Sequence, residues 1–76
     1  MQHNNKQNLI ILGQRIKSLR EKTGESINSF VFKRGGITTA TWSRIENGIY
    51  DVKFSTIIKV ASMFGITIED LLENLS

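Results

Sequence analysis

The chain has 76 residues, with no cysteine and no proline, and ten Lys or Arg against seven Asp or Glu give it a formal net charge of +3. That length suits one compact domain, and the lack of cysteine excludes disulfides, thiolate metal sites and cysteine nucleophiles. The longest apolar run, residues 9–12, is far short of the roughly 20 residues that cross a bilayer, and the amino terminus lacks the basic-then-apolar order of a secretory signal, so a cytoplasmic protein is expected.

Residues 1–8 are polar and carry one lysine without apolar periodicity, so they are expected to form a flexible arm ahead of a folded domain over 9–76. From Leu9 onward, Leu12, Ile16 and Leu19 recur at four and three residues, which predicts an amphipathic first helix ending at Gly24, with Arg15, Lys17, Arg20 and Lys22 on or beside its wet face. Ser26 is a natural N-cap for a second helix, whose inward stripe is Ile27, Phe30 and Val31 and which the Gly35-Gly36 pair ends. Thr38 then caps a short third helix over about residues 38–47, with Trp42 and Ile45 inward and Gly48 as its left-handed stop.

Helical periodicity lapses over residues 49–53 and returns with Phe54, Ile57, Ile58, Ala61 and Phe64, a fourth helix closed by Gly65. Thr67 with Asp70 three residues later is close to a capping box, and Ile68, Leu71, Leu72 and Leu75 form the apolar side of a fifth helix. The β-branched residues around 37–41 do not sustain a two-residue alternation, so the expected fold is all-α.

Charge is unevenly spread. Residues 1–47 hold eight Lys or Arg against three Glu, and residues 48–76 hold two against four acidic residues, so the basic surplus sits with the first three helices and suits a polyanionic partner. Within the third helix, Thr41, Ser43 and Arg44 cannot share the stripe of Trp42 and Ile45, and a short helix with small polar side chains on one face suits a DNA major groove. Trp42 itself belongs to the core by its spacing rather than to a base stack.

No pattern of catalysis is visible. His3, the only histidine, has no second ligand type nearby, and Glu69, Asp70 and Glu73 lie where acidic residues meet a helix dipole. Gly35-Gly36 lacks the strand, spacing and lysine of a nucleotide-phosphate loop. No enzyme, cofactor or metal is expected.

Taken together, residues 12–20 leading to Gly24, Ser26, the run Ser43-Arg44-Ile45-Glu46-Asn47-Gly48, the run Ile57-Ile58-Lys59-Val60-Ala61 before Phe64-Gly65-Ile66, and Ile68-Glu69-Asp70-Leu71-Leu72 resemble the phage repressor and Cro-type, or Xre-type, helix-turn-helix family. The resemblance implies a compact five-helix, lambda-repressor-like domain whose second and third helices are the helix-turn-helix and whose third helix enters the major groove, in a homodimer on a pseudo-palindromic double-stranded operator. By position it implies base contacts from Thr38, Thr39, Ala40, Thr41 and Arg44. It implies phosphate contacts from Ser26, Lys33, Ser43, Asn47, Tyr50 and Lys53, and an ion pair between Arg20 and Glu46. Ile68, Leu71, Leu72 and Leu75 are expected to form the dimer interface.

Four departures from the family pattern bear on recognition. Ile27 stands where glutamine usually follows the helix 2 cap, Val31 replaces a small alanine, the turn holds two glycines in place of one, and Lys53 stands where a small N-cap would start helix 4. With Arg44 the only long donor on the exposed side of helix 3, base readout is expected to be thin and DNA shape and phosphate contacts to matter. The expected function is a sequence-specific DNA-binding transcriptional regulator, in first place a repressor. The alternative is an antitoxin or other interaction module on the same fold that binds a toxin or another protein partner.

Overall fold

In a computed structural model, which describes residues 5–73, the chain forms five helices: α1 (Asn5–Lys22), α2 (Ile27–Arg34), α3 (Thr39–Glu46), α4 (Phe54–Phe64) and α5 (Ile68–Leu71). No strand occurs among the described residues, as the all-α reading requires.

Most boundaries have a local cause. The hydroxyls of Ser26, Thr38 and Thr67 accept from the backbone N–H of Ser29, Thr41 and Asp70, so α2, α3 and α5 each open on a side-chain cap. Lys53 opens α4 without one. At the far end of α3, Gly48 at φ 72° turns the chain so that the Ile49 N–H reaches the Arg44 carbonyl and the Gly48 N–H that of Ile45, both at 3.1 Å. This double closure satisfies carbonyls that a helix end otherwise leaves orphaned.

Two expectations are corrected. Helix α1 begins at Asn5, so residues 5–8, expected in a flexible arm, are helical. Lys6 and Gln7 are good helix formers, and lengthening a helix already anchored downstream needs no new nucleus. Residues 1–4, with His3, lie outside the described residues. Helix α5 is a single turn that gives way to a turn at Leu72 and Glu73 rather than an amphipathic helix reaching Leu75, and Leu75 also lies outside the described residues. Arg15 crosses from α1 to donate to the Leu71 carbonyl at 3.1 Å and to the Glu73 carbonyl, which ties this end of the chain to the first helix.

One buried cluster draws on every helix: Leu12 and Ile16, Phe30 and Val31, Trp42 and Ile45, Val60 and Ala61, and Leu71. The Trp42 ring has the Phe30 and Phe64 rings at centroid distances of 5.0 and 5.8 Å, in tilted arrangements favourable to aromatic pairs. Leu71 has no exposed surface, so the side chain expected at a dimer interface is committed to the core of its own domain. Ile68 and Leu72 are half-buried against that core.

Helix α3 packs chiefly on α1. A Cβ at Gly13 would stand 2.4 Å from the Ile45 carbonyl oxygen and 2.7 Å from that of Glu46, so the two helices meet backbone to backbone, and only glycine allows it.

Candidate nucleic-acid interface

Helix α3 has two chemically distinct sides. At 100° per residue, Trp42, Ile45 and Glu46 fall together, and all three are buried. The remaining arc carries Thr39, Ala40, Arg44 and the following Asn47, all exposed, with the exposed Thr38 at its start and the half-buried Thr41 and Ser43 along its edges.

The buried side is fixed by a carboxylate with three donors. Arg20 Nε lies 2.6 Å from Glu46 Oε2 and Nη2 lies 3.1 Å from Oε1, while Trp42 Nε1, one turn earlier on α3, donates to Oε2 at 2.6 Å. Arg20 Nη1 also donates to the Glu25 carbonyl in the α1–α2 connection at 2.8 Å. The two charged side chains keep only 11% and 4% of their exposure. The hydrogen bond to Glu46 raises the Arg20 pKa above its ordinary value, against the opposing effect of burial. A buried ion that is both paired and hydrogen-bonded is tolerated, and here it locks the rotation of α3 about its own axis.

The outer side keeps its donors. Arg44 is exposed and, like Lys53 in the loop after α3, has no acidic partner among the described residues. The Thr38 and Ser26 oxygens accept from their capped amides, which leaves each hydroxyl proton as a donor. Asn47 Nδ2 lies 3.5 Å from Ser43 Oγ, and Tyr50 is half-buried against the core.

Lys33 differs from expectation, because its ammonium sits 2.6 Å from Glu25 Oε2. It therefore reaches solvent as half of an ion pair rather than as a free cation. Arg34 Nη1 binds the other Glu25 oxygen at 2.8 Å. The hydrogen bond from Lys33 first, and then that from Arg34, holds the Glu25 carboxyl below the ordinary glutamate range.

Sequence reasoning missed three features near this surface. The Trp42 N–H donation to Glu46 has a legible signal, the four-residue spacing on one helix. The Arg34 contacts have none, since its partners lie in the α1–α2 connection and in α4. Phe32, 89% exposed on α2, stands with Asn28, Thr38 and Thr39 along an apolar groove beside the start of α3, and no periodicity marked it.

Among the described residues no group of His, Cys, Asp or Glu is placed to hold a metal ion, and no helix is long and apolar enough to cross a membrane. Comparison with curated proteins and with solved structures gives no match. The Cro/C1-type HTH DNA-binding domain family matches residues 9–74, nearly the whole chain. A capped five-helix fold with a buried inner face and a polar outer face on its third helix agrees with that match, and the chain belongs to the Cro/C1-type helix-turn-helix family of DNA-binding domains.

Proposed function

We propose that the protein is a sequence-specific double-stranded DNA-binding transcriptional regulator, acting as a repressor, that inserts α3 into the major groove as a homodimer on a pseudo-palindromic operator. One observation carries the reading: in a chain of a DNA-binding family, α3 buries Trp42, Ile45 and Glu46 and keeps Thr39, Ala40 and Arg44 exposed. Arg44 is the base reader, its guanidinium suited to guanine O6 and N7. The Thr38 and Thr41 hydroxyls bond base edges, and Thr39 and Ala40 pack on thymine methyl groups. Ser26, Ser43, Asn47, Tyr50 and Lys53 form the phosphate contacts around it, with Lys33 weakened in that role by Glu25. The dimer surface draws on Ile68 and Leu72, which keep partial exposure.

Selection of bound sequences from random duplexes tests this directly. Recovery of a palindrome is expected, its half-site spacing reporting the dimer geometry. Replacing Arg44 with Ala should cost about 1–3 kcal/mol on the selected sequence and relax preference at one or two positions, whereas Lys53→Ala should weaken all duplexes alike and reduce the salt slope. Equal loss on selected and random DNA for Arg44→Ala would remove it as a base reader.

A further inference from the structure

The connection between α2 and α3 opens on two glycines that carry no packing of their own, and its first anchored residue is Ile37, half-buried against the core. Gly35 at φ 71° and Gly36 at φ 90° follow one another in conformations that other residues rarely adopt, and a Cβ at either would meet nothing within 4 Å. Nothing packs over this turn at the point where a side chain would begin, and it is one residue longer than the single-glycine turn of the family pattern.

The end of α2 is held from outside the turn. Arg34, the last residue of α2, donates Nε to the Met63 carbonyl in the final turn of α4 at 3.0 Å and Nη1 to Glu25 Oε1 at 2.8 Å, while its guanidinium carbon lies 3.9 Å from the centre of the Phe30 ring. Phe30 meets Trp42 at 5.0 Å, Trp42 donates to Glu46, Glu46 pairs with Arg20, and Arg20 Nη1 returns to the Glu25 carbonyl at 2.8 Å. These contacts close a circuit through α1, α2 and α3 that never passes through the two glycines. With Nε given to Met63 and Nη1 to Glu25, two of the three guanidinium nitrogens of Arg34 serve geometry.

We propose that Arg34, latched onto Glu25 and the Met63 carbonyl, is a positioning residue that sets the angle between α2 and α3, and through it the fit of α3 to base edges, in place of a short turn. The inference rests on the reading that α3 enters DNA. Because the latch acts on aim and not on charge, it governs discrimination between sequences and leaves general attraction to a duplex nearly unchanged.

A cycle of three variants tests it: Arg34→Met, one glycine inserted after Gly36, and the two combined. Each is measured on the selected duplex and on random duplex across a salt series. Arg34→Met is expected to weaken the selected duplex about tenfold and random duplex about twofold or less, with an unchanged salt slope. The insertion alone is expected to cost about threefold, and the combined loss to exceed the product of the single losses by about threefold or more, since turn and latch then fail together. Should Arg34→Met not fold, Arg34→Lys, which keeps the charge and loses the planar fork, replaces it in the same cycle with the same expectations.

Losses that merely multiply overturn the proposal. So does an equal loss on both duplexes with a flatter salt slope, which would make Arg34 a phosphate contact. If the unaltered protein selects no sequence, the DNA reading fails, and the latch is then judged by residual dipolar couplings of the backbone amides. A changed α2–α3 angle in Arg34→Met upholds it and an unchanged angle overturns it.

Discussion

Helix α3 is held on two sides by different physics. Against α1 the contact is close and water-poor: Gly13 admits the Ile45 and Glu46 carbonyls, and the Glu46 carboxylate is buried under Arg20 and Trp42. Against α2 the covalent link is an open two-glycine turn, and α2 is itself braced outside the core by an ion cluster of Glu25, Lys33 and Arg34 that makes no polar contact with α3 among the described residues, its Lys33 and Arg34 side chains keeping 61% and 30% of their exposure. The first seam is intolerant of change because groups there have no water to fall back on. The second is adjustable because every partner it loses is replaced by solvent. In a DNA-reading domain the rigid seam sets which face of α3 looks outward, and the softer joint sets its tilt.

The largest effect should come from the rigid seam. Glu46→Ala leaves the Arg20 guanidinium and the Trp42 N–H without an acceptor, and a loss of about 3–5 kcal/mol in denaturant-derived stability is expected, close to the whole stability of a domain this small. A loss below about 1 kcal/mol, the range of exposed pairs, would mean that the two sides of α3 do not differ as described.

Next comes Gly13→Ala. Its methyl meets backbone oxygens that cannot rotate away, so overpacking should cost about 1–3 kcal/mol by urea midpoint even though alanine favours the helix itself. A stabilised variant would show that α1 and α3 have room to separate.

Thr38→Ala addresses the softer joint. It removes the acceptor for the Thr41 N–H at the first turn of α3, with an expected cost of about 1 kcal/mol in thermal or urea unfolding. Thr38→Ser should restore most of it, because the capping oxygen is retained.

The smallest effect is electrostatic. Glu25 has its pKa lowered by Lys33 and Arg34, so its contribution is present at neutral pH and fades as pH falls through that lowered value. The stability gap between the unaltered protein and Glu25→Gln should therefore be open at pH 7, close on acidification, and shrink in high salt. Paired urea titrations at neutral and acid pH check this. A gap that widens with acid would reverse the sign assigned to the cluster.

Much of this architecture was legible because its causes are local. Ser26, Thr38 and Thr67 cap within three residues, and Gly24, Gly48 and Gly65 close helices by backbone conformations that depend on glycine alone. The inward course of Trp42 and Ile45 follows from spacing on α3. Lys53 as a helix start without a side-chain cap was likewise readable. Less legible was the upstream limit of α1, where polar residues take helical form only because the segment after them is anchored.

Residues acting across the chain were out of reach for a different reason. Leu71 looks like any apolar residue on a terminal helix, yet α4 and α1 pack against that helix and Leu71 keeps no surface. Arg15 and Arg34 share the sequence signature of solvated surface cations, while their partners lie 56 and 29 positions away.

From its residues alone, this protein's five helices, their capped and glycine-closed limits and the division of α3 into an apolar and a polar side were determined, because hydrogen bonds and periodicity act over one or two turns. Tertiary structure alone decided which cations are paired, which leucine is consumed by the core, and what braces α2 beside the two-glycine turn. Those outcomes depend on which distant groups share a desolvated space, and that is set only when the helices pack.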